Sequence, residues 1–423
     1  MGLGHLCGGG GIRGETVEYP TEFGVTAGDL CIISPATEEE TITTSKINKT
    51  NPIRFQRSDG QFVYFFGNGN LSCQIENQNE ITLLNYVDST HEYYIYDGYL
   101  VASNIVHLFV YSGSGFSVLE IDISNTPQIK KTIFTWVNSS DTFQYSSPFA
   151  SNAGYSQIFK IGTHKYIFVG NNTASYYGSY AVTPIYDDGS NFVFGNTIVG
   201  APKHMIAGLL HDNTGIIVFE GTTVKKYVYI AGSSPELNVV NLTLQNVSSI
   251  SGDAYANNSF VYTWDNHYIV VQAIKAGVLC YHLVLDGNTL TQIGAALSVS
   301  SVDSIRNIVA GLFKQTLYIY WGKSSGSVKT VVDASGTLAV TNTTNLSNLQ
   351  MYYSNSFGSV SDLRYRVERT NIKIVAYLQS GTTRYINTFK PMDTVESSPN
   401  ALYAMGSIAP NSYGKFRKQP EEG

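Results

Sequence analysis

Charge is scarce in this chain. Of 423 residues, 14% are Asp, Glu, Lys or Arg, and the formal net charge is −6 at pH 7. So few cations give no broad basic field, which excludes nucleic acid as an expected partner. Long apolar runs are also missing, and no stretch reaches the length of a bilayer-crossing helix, so membrane insertion is not expected. The opening MGLGHLCGGGG has no apolar core behind a basic start, so it does not read as a secretion leader. Cysteine is rare. Cys7, Cys31, Cys73 and Cys280 lie far apart with no CxxC spacing, which favours free thiols over a disulfide framework or a zinc site. The eight histidines form no H-x-x-x-H or HExxH, and no G-x-S-x-G elbow occurs. No catalytic residue, metal or cofactor is therefore expected.

Helical periodicity is missing as well, which turns attention to what is abundant. Aromatic residues make up 13%, led by 30 Tyr, and Gly, Ser, Thr and Asn fill the intervals. Tyr, Val, Ile, Thr and Phe suit pleated surfaces, and Gly and Asn suit tight turns. One pattern recurs: a short strand, a polar turn, then a stronger apolar strand. It appears as RFQRSDGQFVYFFGN from Arg54, YLVASNIVHLFVYSG from Tyr99 and SQIFKIGTHKYIFVGN from Ser156. It returns as IAGLLHDNTGIIVFEG from Ile206, FVYTWDNHYIVVQA from Phe260, IVAGLFKQTLYIYWG from Ile308 and RYRVERTNIKIVAYL from Arg364. A second hairpin follows most copies, such as YHLVLDGNTLTQIG from Tyr281. The unit is thus four strands with a period of roughly 45–58 residues, the range of propeller blades. The second strand of each unit is almost continuously apolar, as a strand buried on both faces must be.

These readings predict an all-β chain: a seven-bladed β-propeller over residues 53–395 with short terminal β segments. Residues 1–16 form a flexible Gly-rich arm. Residues 17–52 form an N-terminal β segment that either closes the ring or builds a small anchoring lobe. Residues 396–423 form a C-terminal β segment and tail.

Individual motifs carry little chemistry. GGGIRGET, from Gly9, comes near a phosphate loop, but Glu15 stands where a Lys is needed, and a carboxylate repels phosphate. Asp187, Asp188 and Asn191 offer oxygens to calcium, yet a hairpin turn needs the same residues. Glu38, Glu39 and Glu40 read as a solvated loop. Glu120 and Asp122 face one side of a strand, the arrangement a glycosidase carboxylate pair would need. His164, His211 and His267 fall at comparable inner turns. Exposed aromatics in Gly/Ser/Asn-rich loops are the contact candidates: Tyr176, Tyr177 and Tyr180 in one, Tyr352, Tyr353 and Phe357 in another. The alternative is that these rings cap blade ends as core.

The familiar propeller signatures (the WD dipeptide, the kelch double glycine, the sialidase Asp box) are absent. VTAGDLCIIS (Val25 to Ser34) and YAMGSIAPNSYGKFR (Tyr403 to Arg417) give the chain its resemblance. It resembles the propeller proteins of tailed-bacteriophage virions, whose chains are bracketed by such segments. The resemblance implies a non-enzymatic structural or receptor-binding protein of tail, fibre, collar or capsid, located in the virion. Other virion proteins are then the expected partners, with a host surface glycan or protein touched through blade loops. Gly8, Gly9, Gly10, Gly11, Ile12 and Arg13 become an assembly arm that orders in a neighbouring subunit. Two alternatives stay open: a propeller glycosidase acting on host polysaccharide, and a lectin-like bacterial surface protein.

Overall fold

β-Branched and aromatic runs punctuated by Gly, Asn and Asp turns give one antiparallel hairpin after another. The computed structural model is all-β, with strands and turns and no helix among the described residues. Those residues are 16–21, 25, 27, 30–34, 37–43, 53–85, 93–112, 115–137, 157–162, 164–171, 179–202, 206–221, 223–232, 234–247, 250, 260–274, 277–300, 307–313, 315–323, 326–347, 350–351, 374–380, 383–390, 394–397, 402–408 and 412–418.

The sheets follow the chain as successive four-strand meanders. Blade 1 is Ile53–Gln56, Phe62–Asn68, Asn70–Ile75 and Glu80–Leu84. Blade 2 is Tyr94–Ala102, Ile105–Ser112, Gly115–Asp122 and Gln128–Val137. Blade 3 is Gln157–Gly162, Lys165–Asn171 and Ser179–Asp187, with Phe192–Phe194 and Ile198–Pro202 sharing the outer place. Blade 4 is Ile206–Leu209, Gly215–Glu220, Thr223–Ile230 and Glu236–Gln245. Blade 5 is Phe260–Trp264, His267–Ile274 and Gly277–Asp286, with Thr289–Gln292 and Leu297–Ser300 outermost. Blade 6 is Asn307–Phe313, Thr316–Lys323, Gly326–Asp333 and Ala339–Ser347. A further sheet runs Thr37–Thr43, Thr383–Lys390, Ile374–Ser380, Gln350–Met351, so a strand from near the N-terminus joins a late hairpin. The set is compatible with the seven blades expected. Blades 4 and 5 also fuse at their outer strands, where Thr243, Leu244 and Gln245 pair in parallel with Thr289, Leu290 and Thr291.

Packing explains why the second strands are apolar throughout. Adjacent residues on a strand point to opposite faces, and here each face meets a different blade. Leu108 and Val110 pack with blade 1, while Phe109 between them packs with blade 3. Ile167 and Val169 face blade 4, and Phe168 faces blade 2. Ile217 and Phe219 face blade 5, and Ile216 and Val218 face blade 3. Val270 faces blade 4, and Ile269 and Val271 face blade 6. Five apolar clusters thus join blade 1 to 2, 2 to 3, 3 to 4, 4 to 5 and 5 to 6. Fully burying each such side chain is worth about 1.5–3 kcal/mol. Sheets stacked face to face in chain order are the packing of a β-propeller.

The chain divides into two compact units. One is Ile42–Arg366 with Ala376–Ile386, which holds blades 1 to 6. The other is Met1–Thr41, Val367–Val375 and Asn387–Gly423. In this second unit five strands close a barrel in the order Thr16–Thr21, Thr394–Ser397, Leu30–Ser34, Leu402–Ala404, Ser412–Lys418. Val25 and Ile408 exchange backbone hydrogen bonds of 2.9 and 2.8 Å beside it. Val25, Ala404, Ile408 and Phe416 are buried. The N-terminal β segment therefore divides: its first two strands enter the barrel, and Thr37–Thr43 joins the late hairpin. Glu38, Glu39 and Glu40 lie on this strand, not in a loop, a correction to the sequence reading.

Candidate functional site

In a four-strand meander, the turn between strands one and two lies at the same end as the turn between strands three and four. At this end, polar groups reach from one blade to the next. Arg57 donates from Nη2 to the Ser124 carbonyl at 2.7 Å and from Nη1 to the Asn125 carbonyl at 3.3 Å, and pairs with Asp59 at 2.9 Å. Lys131 of blade 2 donates to the Gly189 carbonyl of blade 3 at 2.6 Å. His282 Nδ1 of blade 5 donates to the Gly336 carbonyl of blade 6 at 2.8 Å. His211 Nδ1 of blade 4 lies 3.2 Å from the Tyr268 hydroxyl of blade 5.

A polar cluster lies between blades 2 and 3 and contains two nearly inaccessible ionisable groups, His107 and Asp187. His107 Nε2 is 3.4 Å from Glu120 Oε2, and its Nδ1 is 3.4 Å from the Tyr166 hydroxyl and 3.8 Å from Asp187 Oδ2. The same Asp187 oxygen is 3.0 Å from His164 Nδ1, and Asp187 Oδ1 accepts from the Gly189 amide at 2.8 Å. Lys131 stands 3.5 Å from Glu120. In neutral His107 this fits an Nε2–H donating to Glu120 and an Nδ1 accepting from Tyr166. Burial lowers the His107 pKa, and the carboxylates of Asp187 and Glu120 oppose that shift. Burial pushes the Tyr166 hydroxyl up. The cluster ties blade 2 to blade 3 through these polar contacts. A second imidazole pair lies further round, where His267 Nδ1 meets His282 Nε2 at 3.0 Å and the His267 ring stacks on Trp264 at 4.9 Å.

Of the six aromatic contact candidates, Tyr180 alone lies among the described residues. It is not a loop residue: it sits on strand Ser179–Asp187 and is 2% exposed. Its hydroxyl is 2.8 Å from that of Tyr227 and donates to Glu220, which pairs with Lys225 at 3.1 Å. Burial raises the Glu220 pKa, against the pull of Lys225. Tyr180 is thus core between blades 3 and 4, and Gly200 makes room for it, since a Cβ there would collide with its ring. Tyr176, Tyr177, Tyr352, Tyr353 and Phe357 lie outside the described residues, as does the arm from Gly8 to Arg13.

The remaining candidates resolve into local chemistry. Asp188 accepts from the Ser190 and Asn191 amides at 2.7 and 2.6 Å, which closes the turn. Those bonds hold its carboxyl below the usual range. Glu120 and Asp122 are each bound to a lysine, Lys131 at 3.5 Å and Lys130 at 3.3 Å. His164, His211 and His267 do occupy the same end of their blades, each with a different partner. Cys73 and Cys280 are buried free thiols, and burial pushes Cys73 up to about 12. Among the described residues no three His, Cys, Asp or Glu are arranged to hold a metal. The sequence reading missed the His107 cluster because only His107 and Glu120 face each other on one hairpin of blade 2, while Tyr166 and Asp187 come from blade 3.

No protein-family model matches the chain, and no curated protein matches it. Solved structures do resemble it. The WD40 domain of Toxoplasma gondii coronin is 10% identical, with a TM-score of 0.47 over 86% of this chain and 89% of that one. The β-propeller domain of the Trilobed protease from Pyrococcus furiosus is 9% identical, with a TM-score of 0.40 over 88% and 99%. The GH43_1 enzyme from Xanthomonas citri complexed with xylose is 11% identical, with a TM-score of 0.31 over 59% and 90%. The chain's own sheet order and blade-to-blade packing make it an all-β protein of propeller architecture.

Proposed function

We propose that the chain is a non-enzymatic structural or attachment component of a tailed-phage particle. In this reading the propeller is a rigid platform, and the barrel built from both ends of the chain anchors it to other virion proteins. The observation that supports the reading is how the two phage-like segments meet. VTAGDLCIIS and YAMGSIAPNSYGKFR, 380 residues apart at Ala27 and Ser407, belong to the same barrel. Cys31 pairs with Leu402, and Leu30 pairs with Tyr403. Segments that bracket the chain in sequence thus form one module in space, as an anchor shared by otherwise different proteins would. Blade loops remain for contact with a host glycan or protein. Catalysis has less support, because the carboxylates Glu120 and Asp122 are engaged with lysines.

The test is to probe gradient-purified tailed particles with an antibody to the full chain. Co-migration with intact particles is expected, and absence from them overturns the reading. Incubating the full chain with host capsular polysaccharide tests the other half. No new reducing ends should appear, and their release would make it a glycosidase.

A further inference from the structure

The outer strands of a propeller are open sheet edges, and natural sheets blunt such edges with charge, proline, shortness or cover. Most outer strands here do so. Glu80–Leu84 is five residues and starts with Glu80. Gln128–Val137 carries Lys130 and Lys131, Ile198–Pro202 ends in proline, and Thr37–Thr43 carries Glu38, Glu39 and Glu40. Glu236–Gln245 is covered in part by its parallel pairing with Thr289–Gln292, and Leu297–Ser300 is only four residues. Blade 6 differs. Its outer strand Ala339–Ser347 reads AVTNTTNLS, nine residues with no charge and no proline. Residues 339 to 345 are all exposed, including Val340 at 43%. One register shift beside Thr341 bends its start, and Asn342–Ser347 then runs in regular register against Gly326–Val331. It ends its sheet, with no further strand beyond it among the described residues.

We infer that Ala339–Ser347 is a docking edge for a second copy of this chain, strand to antiparallel strand across a two-fold axis. Charge selects this occupant. A two-fold axis sets a strand against its own copy. On Gln128–Val137 that would bring lysines together, and on Thr37–Thr43 glutamates, at a cost. On Ala339–Ser347 it brings Thr and Asn to Thr and Asn, which are neutral and mutually hydrogen-bonding. Val340 adds apolar contact, and closure of the pair leaves no edge for a fibre. A strand pair is small among stable interfaces, so the dimer dissociates in the micromolar range. The inference does not depend on the phage reading.

Sedimentation equilibrium of the full chain across the micromolar range tests it. A reversible dimer is expected, weakened roughly tenfold or more in T343K/N345K by like charges across the axis. The substituted positions are exposed, so the melting temperature at low concentration should match wild type. T343E/N345E should weaken self-association equally, and a mixture of the Lys and Glu forms should restore a dimer. N238K, on the outer strand of blade 4, should change nothing. A wild-type chain monomeric throughout overturns the inference. So does a dimer that the Lys pair leaves intact, or a failure of the mixture to pair.

Discussion

The hydroxyl of Tyr180 stands between Tyr227 and Glu220, so its loss is expected to register as stability and not as binding. Tyr180→Phe should cost about 1–3 kcal/mol, because Glu220 loses a partner while staying buried. Tyr180→Ala should cost about 3–5 kcal/mol by also opening a cavity. Urea unfolding measures both, and an unchanged midpoint for Tyr180→Ala would return this ring to the surface. The imidazoles predict a pH dependence. Burial holds both His107 and His282 below the ordinary histidine value of 6.5, so the unfolded chain takes up these protons first as pH falls. Their stabilising effect is complete above 6.5 and is lost as pH drops from there toward the folded values. The urea midpoint should therefore fall between about pH 7.5 and about pH 5, and the double variant His107→Gln/His282→Gln should flatten that fall. An equal slope in the double variant would assign the acid sensitivity to other groups. The imidazole contacts were not legible in the sequence at this scale, and Tyr180 was legible only as one of two alternatives. Tyr180 follows a Gly/Ser/Asn-rich stretch that fits either a contact loop or blade-end core, and what decides for core, Gly200 and blade 4, lies elsewhere in the chain. Asp188 was legible, since an Asp-Gly turn explains its bonds without any ligand.

Within an element, the strongest constraint is the second strand of each blade, clamped between two neighbours. Gly215 opens that strand in blade 4, and a Cβ there would drive into the backbone carbonyl of Tyr227 on the paired strand. Gly215→Ala should destabilise by about 1–3 kcal/mol through strand separation. Thermal unfolding checks this, and a wild-type melting temperature would mean the hairpin opens without strain. Phe109→Ala should cost about 3–5 kcal/mol, because its ring is a main contact of blade 2 with blade 3. These runs were the most legible part of the sequence, because burial on both faces removes the alternation that a half-exposed strand shows. The parallel bond between blades 4 and 5 left no such trace. Thr243–Gln245 and Thr289–Thr291 each read as an ordinary hairpin arm, and nothing local marks them as partners.

Across the whole molecule, the barrel draws on strands from both ends of the chain. Removing residues 402–418 takes away two of its five strands and bares the edges of Leu30–Ser34 and Thr16–Thr21. Such edges invite pairing between chains. The truncated protein should therefore aggregate, as read by light scattering, and a clean monomer would show that the remaining strands need no cover. The sequence left ring closure and a separate lobe as alternatives for the N-terminal segment. The choice was not readable because both depend on pairings hundreds of residues long. Those pairings also order events in time. Ala27 leaves the ribosome 380 residues before Ser407, which receives its amide hydrogen bond. The strands around Ala27 must stay unpaired while the blades form behind them. Slow closure of such long loops then makes the barrel fold after the blades between its strands.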